Sequence, residues 1–458
     1  MANSRFDFAI AKLVAMLKRM LLAAGLFGCI QGSAWGAGLA IMEQSVKELG
    51  QAFSGATTNT EDGSSIYFNP GAMARIHGRM LSLAGYVVIP SSSFADQGSR
   101  LSPSVGGAPL RGNNGGDAAV TSLIPNVYYV QQLTDKLVVG LGVNVPFGSH
   151  NAYRSDWQGR YQTLSSDLKT LSFYPAMGFR ITDQISIGAG LNVQYLRASL
   201  TNAIDFGTIC LQALGPVPCS AGGLLPQQAD GRVRLEGDSV GLGYDLGVLF
   251  IPHPDLRVGA GYRSRVRHNV EGTADFAVPA AATPLTGGTL FSDTRAKTLT
   301  ILPDSVSFGF SQRLGSQWSI SGDALWTHWS LVRELRTQFA SAQPDSVQRL
   351  DWQDTWRYAL GVSFKHDANW TFRSGLAYDQ TPIPNARRRN PRIPDSDRIW
   401  LTLGVSFRYF DSLTLQAAYA HLFFADASID SVGATGDRLT GRVEQQTDIL
   451  GLQLDWRF

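Results

Sequence analysis

The chain has 458 residues, of which 17% are charged and 44% are hydrophobic, and its formal net charge is +2. Soluble globular proteins carry about 25% charged residues, so the low charge content indicates that much of the surface does not face water. No internal run approaches the ~20 apolar residues of a transmembrane helix. This argues against a helical membrane protein and leaves a closed β-barrel as the membrane-spanning alternative.

The N-terminal residues have the composition of a secretory signal. Four basic residues precede an apolar stretch at 20–30, and the segment 34–36 reads Ala-Trp-Gly, with small residues at the recognition positions of a cleavage site. We predict a signal peptide over residues 1–36 and a mature chain that begins at Ala37. The alternatives are a short buried helix and lipid attachment at Cys29, which a bulky residue two positions earlier disfavours.

Removal of four basic and one acidic residue with the signal changes the net charge from +2 to −1. A near-neutral chain has no basic bias, so nucleic acid is not an expected partner. Cys210 and Cys219 lie close together in a stretch rich in Gly and Pro. In an oxidising compartment this spacing predicts a disulfide in a loop. No His or carboxylate cluster flanks them, and we predict neither a metal site nor a cofactor.

Residues 37–78 precede the first recognisable strand and alternate poorly between apolar and polar positions. The segment is rich in glycine and too long for a simple tail. We interpret it as an N-terminal hatch that plugs the lumen of a barrel formed by residues 79–458. A disordered periplasmic tail is the alternative interpretation.

Period-two alternation, the signature of a half-buried strand, recurs along most of the chain. In residues 185–195, apolar residues at odd positions alternate with polar or small residues at even positions. A transmembrane strand needs this pattern because one face contacts lipid and the other faces the lumen. Similar stretches are residues 137–147, 356–364 and 399–409.

Six short turns alternate with seven long loops rich in Gly, Ser, Pro and Asp. Outer-membrane barrels have short periplasmic turns and longer extracellular loops. Six turns and seven loops require fourteen strands, so the predicted fold class is all-β, a 14-stranded antiparallel transmembrane β-barrel with an N-terminal hatch. The turns are residues 134–136, 182–184, 252–255, 315–317, 367–369 and 411–412, and the loops lie near 91–118, 149–166, 200–231, 273–297, 340–350, 379–395 and 425–441.

Aromatic residues cluster beside the short turns. Trp318 and Trp370 each follow one, which is typical of an interfacial aromatic girdle. The last strand ends at Phe458, and a terminal aromatic resembles the assembly signal of outer-membrane proteins. The expected partners are therefore outer-membrane lipid and the barrel assembly machinery, and the expected location is the outer membrane of a bacterial cell.

Residues 237–241 read Gly-Asp-Ser-Val-Gly, which matches the nucleophile pattern of hydrolases. That motif needs a strand–turn–helix context to expose the serine. Here it begins an alternating strand with no helical periodicity. We predict no catalytic residue and a protein that is not an enzyme, with a barrel hydrolase as a distant alternative.

Eight segments follow one another in an order that resembles the long-chain fatty-acid transporter (FadL) family, including its aromatic-hydrocarbon uptake members. The resemblance covers essentially the whole mature chain. The segments are Gly50-Gln-Ala-Phe-Ser-Gly55, Tyr67-Phe-Asn-Pro-Gly-Ala72, Val145-Pro-Phe-Gly148, Trp157-Gln-Gly-Arg-Tyr161, Leu302-Pro-Asp-Ser-Val306, Trp326-Thr-His-Trp-Ser330, Ala377-Tyr-Asp-Gln-Thr-Pro-Ile-Pro384 and Arg392-Ile-Pro-Asp-Ser-Asp-Arg398.

The resemblance implies passive uptake of hydrophobic molecules through a barrel closed by a hatch. Ligand is expected to be captured among the extracellular loops, to move to a lumenal site, and to leave sideways through the wall when the hatch and a kinked strand rearrange. The family's Asn-Pro-Ala hatch motif falls on Asn69, Pro70 and Gly71. The third residue departs from the pattern and, because glycine is permissive, suggests a looser gate.

Three adjacent predicted strands each contain a proline. Pro cannot donate a ladder hydrogen bond and is normally absent from central strands. Counting from the turn at 134–136 places Pro125 opposite Val145, beside Pro146; Pro175 lies in the next strand. We predict a lateral opening at Pro125, Pro146, Gly148 and Pro175. A bulge that only shapes the barrel is the alternative.

Alternation turns Arg357, Arg373 and Arg398 toward the lumen. Cations there suit the carboxylate of a fatty acid, because charge-assisted hydrogen bonds are strong. An internal network of arginines with carboxylates is the alternative. Trp157 and Arg160, in an extracellular segment, are candidate contacts at the outer groove.

The arginines favour long-chain fatty acids as the substrate. Monoaromatic hydrocarbons taken up by the same route, or general diffusion through an open porin, are the alternatives.

Overall fold

The computed structural model describes residues 38–458. The predicted signal peptide, residues 1–36, lies outside the described residues. Within them, no helix is both long and apolar enough to cross a bilayer.

The barrel wall is built from strand segments that pair antiparallel with their sequence neighbours. Six of its spanning strands are each broken into two consecutive segments. The segments are β1 (Arg79–Asp96), β2 (Ser122–Gln132), β3 (Leu137–Asn144), β4 (Gly148–Ala152), β5 (Ser165–Arg180), β6 (Ile185–Asp205), β7 (Asp230–His253), β8 (Leu256–Arg263), β9 (Val266–Ala277), β10 (Thr294–Leu302), β11 (Ser305–Leu314), β12 (Trp318–Thr327), β13 (Glu334–Phe339), β14 (Ser346–Arg349), β15 (Thr355–Lys365), β16 (Trp370–Asp379), β17 (Arg398–Phe410), β18 (Leu413–Phe424), β19 (Ala427–Val432) and β20 (Arg438–Arg457).

The wall closes when the last strand pairs with the first. β1 and β20 are in register from the Met80–Arg457 pair to the Asp96–Gly441 pair. The broken strands are β3/β4, β8/β9, β10/β11, β12/β13, β14/β15 and β18/β19, so the described segments form fourteen spanning strands. The predicted fold class is confirmed, and closure leaves no open edge to lipid.

Alternation along each strand separates a lipid face from a lumen face. On β6, Ile187 and Leu191 are exposed, whereas Asn192 and Gln194 are buried. Short connections follow β2, β5, β7, β11, β15 and β17, at the six predicted turns. These connections define the periplasmic end of the barrel.

Short helices lie in the N-terminal segment and in the long loops. A disulfide joins the two helices of one extracellular loop through Cys210 and Cys219. The α-helices are α1 (Val46–Leu49), α2 (Ser65–Phe68), α3 (Pro70–Met73), α4 (Phe206–Leu214) and α5 (Pro216–Ala221), and the 3-10 helices are Ala56–Thr58, Pro103–Val105, Ala280–Thr286 and Trp329–Leu331.

The residues before β1 fill the lumen, and we call residues 38–78 the hatch. Its side chains Ile41, Leu49 and Phe53 are buried in one cluster with Tyr86 and Trp400 of the wall. Burial of these apolar side chains on both sides stabilises the plugged state.

Wall glycines allow the hatch backbone to approach closely. A Cβ on Gly188 would lie 2.2 Å from the carbonyl carbon of Pro70, and one on Gly247 would lie 2.0 Å from Oδ1 of Asn69. A side chain at these positions would push the hatch away from the wall. Other wall glycines that touch the hatch backbone are Gly178, Gly259, Gly375 and Gly404.

Candidate ligand cavity and wall interruption

A cavity of about 460 Å³ lies between the N-terminal end of the hatch and the extracellular loop that precedes β17. Its volume falls within the range of small-molecule sites, roughly 300–1,000 Å³. Its lining is mainly apolar. The apolar side chains include Leu39, Leu168, Leu196, Val270, Leu335, Leu350, Trp352 and Ile393.

Arg392 is the cation of the extracellular loop that lines this cavity. Its guanidinium donates to Oγ1 of Thr163 at 3.2 Å and to Oδ1 of Asn202 at 3.2 Å. Both acceptors are neutral, and no carboxylate of residues 38–458 forms an ion pair with it. Burial without a compensating charge lowers the pKa of Arg392 to about 10. The site therefore offers a desolvated positive charge beside an apolar space.

Trp352 also lines the cavity. Its side chain is 3% exposed, and its indole N–H has no acceptor among the described residues.

The three arginines predicted from alternation lie elsewhere. None of Arg357, Arg373 and Arg398 lines the cavity. Arg398 is 1% exposed and pairs with Asp379 at 3.0 Å and Asp395 at 3.1 Å. Its charge is compensated within the protein, which matches the network alternative for this residue.

Arg357 and Arg373 face the hatch region. The Arg357 guanidinium donates to the carbonyl of Ala52 at 2.9 Å and lies 5.1 Å from the ring centroid of Trp400. Arg373 donates to the hydroxyl of Ser406. The contact of Arg357 with a hatch carbonyl favours a role in holding the hatch.

Trp157 and Arg160 are buried inside the extracellular loops. The Trp157 indole donates to the carbonyl of Thr163 at 2.8 Å, and its ring stacks on Tyr153 at 3.9 Å. Arg160 pairs with Asp230 at 2.7 Å and is 7% exposed. These contacts favour a role in shaping the loops over direct ligand contact at the surface.

The Asn-Pro-Gly motif anchors the hatch to the wall. Asn69 caps α3 by accepting from the N–H of Gly71, and its amide donates to the carbonyls of Thr57 at 2.7 Å and Val248 at 2.9 Å. A Cβ on Gly71 would lie 2.7 Å from the carbonyl oxygen of Gly247. The glycine therefore permits close contact at this point, and the expectation of a looser gate stays a prediction.

The wall is interrupted where the prolines were predicted to weaken it. The β2–β3 ladder ends at the Val127–Val143 pair, and in the same register Pro125 would face Val145. Pro146 lies in the break between β3 and β4.

A second strand pair, one strand further along the wall, is interrupted as well. β5 and β6 are paired on both sides of Tyr174 and Pro175 but not at these two residues. Ladder pairs are therefore missing both between β2 and the strand β3/β4 and between β5 and β6.

The hatch occupies the first break. The N–H of Ile41 donates to the carbonyl of Pro146 at 2.9 Å, and the N–H of Gly148 donates to the carbonyl of Leu39 at 3.0 Å. Asn126 of β2 donates to the hatch carbonyl of Glu43 at 2.7 Å. Movement of this hatch segment would leave the break open.

The structure also bears on the hydrolase-like motif and on metal binding. Ser239 of the Gly-Asp-Ser-Val-Gly segment lies in the middle of β7, paired with Leu196, without the helix that an exposed nucleophile requires. Among residues 38–458, no group of three or more His, Cys, Asp or Glu side chains is arranged to hold a metal ion.

Residues 27–458 match the profile of the family described as outer membrane protein transport protein (OMPP1/FadL/TodX). A long-chain fatty acid transport protein of Escherichia coli K12 is 26% identical over 86% of this chain and 89% of its own length. Outer membrane protein P1 of Haemophilus influenzae is 25% identical over 96% of this chain and 97% of its own length.

Solved structures share the fold. A Pseudomonas aeruginosa FadL homologue superposes with a TM-score of 0.84 and 24% identity over 92% of this chain and all of that chain. The Pseudomonas putida toluene transporter TodX gives a TM-score of 0.64 and 18% identity over 86% of this chain and 94% of that chain.

Proposed function

We propose, on the premise that the chain belongs to the OMPP1/FadL/TodX family of outer membrane transport proteins, that it takes up long-chain fatty acids. The protein is an outer-membrane barrel that transports hydrophobic compounds, and its family consists of transporters. The proposed part is the substrate class and its route.

The observation that favours a fatty acid as the substrate is the positive charge of Arg392, which no carboxylate of the described residues compensates. An alkyl carboxylate would pair its head group with this guanidinium and lay its chain along the apolar lining. A hydrogen bond to a charged group contributes about 1.5–3 kcal/mol. A toluene-like molecule has no anionic group to pair with this charge and gains only the weaker attraction between a cation and an aromatic ring, so the cavity favours the acid.

The proposed route has three stages. Ligand is captured among the extracellular loops, settles in the cavity, and leaves sideways at the wall break beside Pro146. The hatch contacts of Leu39 and Ile41 with that break support this route. We propose corresponding domains: a signal peptide at 1–36, the hatch at 37–78 and the barrel at 79–458.

The test compares the wild type with Arg392→Gln in two measurements: binding of labelled oleate to the purified protein, and uptake of labelled oleate and toluene by cells that carry each form. We expect the variant to bind oleate at least about tenfold more weakly, because loss of the charged hydrogen bond removes about 1.5–3 kcal/mol. Toluene uptake should not change. Arg387→Gln, an exposed arginine of the same loop, is the matched control.

Each alternative predicts a different result. Unchanged oleate binding in Arg392→Gln would remove the carboxylate site, and wild-type uptake of toluene without oleate would favour the hydrocarbon function. Large conductance to hydrophilic solutes in the intact protein would favour a diffusion porin.

A further inference from the structure

A second opening interrupts the wall on another side of the barrel, between the strand β10/β11 and the strand β12/β13. At the extracellular end, Ala296–Thr298 pair with Thr337–Phe339. Pairing resumes only where the N–H of His328 donates to the carbonyl of Asp304 at 3.0 Å. Residues 299–303 have no ladder partner on this side, over roughly 16 Å of strand.

A register difference causes the opening. The pairs Thr298–Thr337 and Ser305–Thr327 are seven positions apart on one strand and ten on the other. The three surplus residues form the inward turn around the 3-10 helix Trp329–Leu331, where Trp329 is fully buried. The chain that would complete the wall is therefore drawn into the lumen.

The large cavity reaches this opening. Its lining includes both faces of the unpaired strand, namely inward Thr300 together with outward Leu299, which is 56% exposed. Lining residues across the gap run from Leu331 to Gln338. Unpaired backbone at this depth is tolerated where it lines a cavity rather than lipid.

The position of the opening along the barrel axis determines which part of the bilayer it faces, and so which molecules can enter it. β11 and β12 each have ten residues below it, about the length that crosses the hydrocarbon core. The opening therefore lies at the head-group level of the outer leaflet. Its rim carries the exposed Lys297, which would attract an anionic head group. Arg336 beside it is already paired with Glu334 at 2.7 Å and with Asp345 at 3.1 Å.

We propose that this opening is a lateral inlet, through which a long-chain alkyl carboxylate dissolved in the outer leaflet slides into the cavity without passing the extracellular loops. The inference rests on the proposed function, because it uses the same cavity and ligand class. The two wall openings then have different roles. The inlet between β10 and β13 faces the outer leaflet, and no backbone hydrogen bond joins the hatch to residues 299–303, whereas the break at Pro146 is bridged by hatch hydrogen bonds.

The test blocks the inlet from outside by attaching a bulky group to the outward face of the unpaired strand. Leu299→Cys is labelled with a bulky maleimide polymer in the inserted, full-length protein. Cys210 and Cys219, the cysteines among the described residues, form a disulfide and do not react with the maleimide. Ile399→Cys is the matched control: it is 47% exposed, near the extracellular end of β17, and its strand is paired on both sides. Uptake of labelled oleate pre-equilibrated with the membrane is measured before and after labelling.

We expect labelling to abolish most oleate uptake by Leu299→Cys, measured against the same variant before labelling, and to leave uptake by Ile399→Cys unchanged. Wild-type uptake by labelled Leu299→Cys would overturn the inlet while leaving the proposed function standing. Should the wild type carry toluene but not oleate, the proposed substrate fails, and the same block measured on toluene uptake decides the inlet.

Discussion

Gly188→Ala should detach the hatch from the wall. The added Cβ would lie 2.2 Å from the carbonyl carbon of Pro70, 2.3 Å from its oxygen and 2.5 Å from the nitrogen of Gly71. All three atoms are backbone, so no side-chain rotation relieves the overlap. The start of α3 must move by about 1 Å or more to reach ordinary contact, since carbon atoms pack at about 3.5–4.0 Å.

The cost follows from the contacts that move with α3. Overpacking costs about 1–3 kcal/mol. Displacement also strains the hydrogen bonds of Asn69 to Thr57 and Val248, each worth about 0.5–1.5 kcal/mol. We therefore expect hatch docking to weaken by about 2–4 kcal/mol, or roughly two orders of magnitude in its equilibrium constant.

Amide hydrogen exchange in the folded barrel measures this directly, because local opening sets the protection of hatch amides. Residues 65–76 should exchange faster in Gly188→Ala while β1 and β20 keep their protection. Gly85→Ala is the control, since nothing lies within 4 Å of the position that its new methyl group would take on the lipid side. Unchanged hatch protection in a correctly inserted Gly188→Ala barrel would refute the close-packing argument.

Three further changes test other parts of the structure. Pro125→Val with Pro146→Val should restore ladder donors and reduce uptake of hydrophobic substrate; unchanged uptake by a correctly inserted barrel would disprove the lateral exit. Burial raises the pKa of Glu43 from its ordinary value of 4.5 to about 7. Between these two pH values the docked hatch therefore keeps the Glu43 proton, whereas the released hatch loses it. Docking should therefore weaken as pH rises from 4.5 to 7; Glu43→Gln should abolish this trend in single-channel conductance, and a persistent trend would point to another group. Cys210→Ser should destabilise the α4–α5 loop by about 2–3 kcal/mol, seen as faster proteolysis of that loop with the barrel intact; equal proteolysis rates would count against a stabilising bond.

The sequence by itself predicts the wall but only part of the hatch contacts. Period-two alternation is local, and each short turn joins neighbouring strands, so counting turns and loops was sufficient for fourteen strands. The backbone chemistry of Pro146 is also local, and the break lies at this residue. Asn69 and Pro70 were found through a motif, whereas the glycines that receive them lie on distant strands.

The ligand cavity depends on contacts that no local pattern encodes. Arg357 and Arg398 point inward as alternation requires, yet Arg398 is paired with Asp379, Arg357 donates to a hatch carbonyl, and neither residue lines the cavity. Arg392 lies in a loop without alternation, and only packing shows that it is half-buried beside the cavity with no carboxylate partner among the described residues.

Thus the alternating sequence by itself determined a fourteen-stranded barrel and which face of each strand meets lipid, because those properties depend on residues two positions apart. The tertiary structure decided where the wall opens and which cation is available to a ligand. The opening beside Leu299 arises from a three-residue difference in register between strands, and such a difference exists only once the strands are paired.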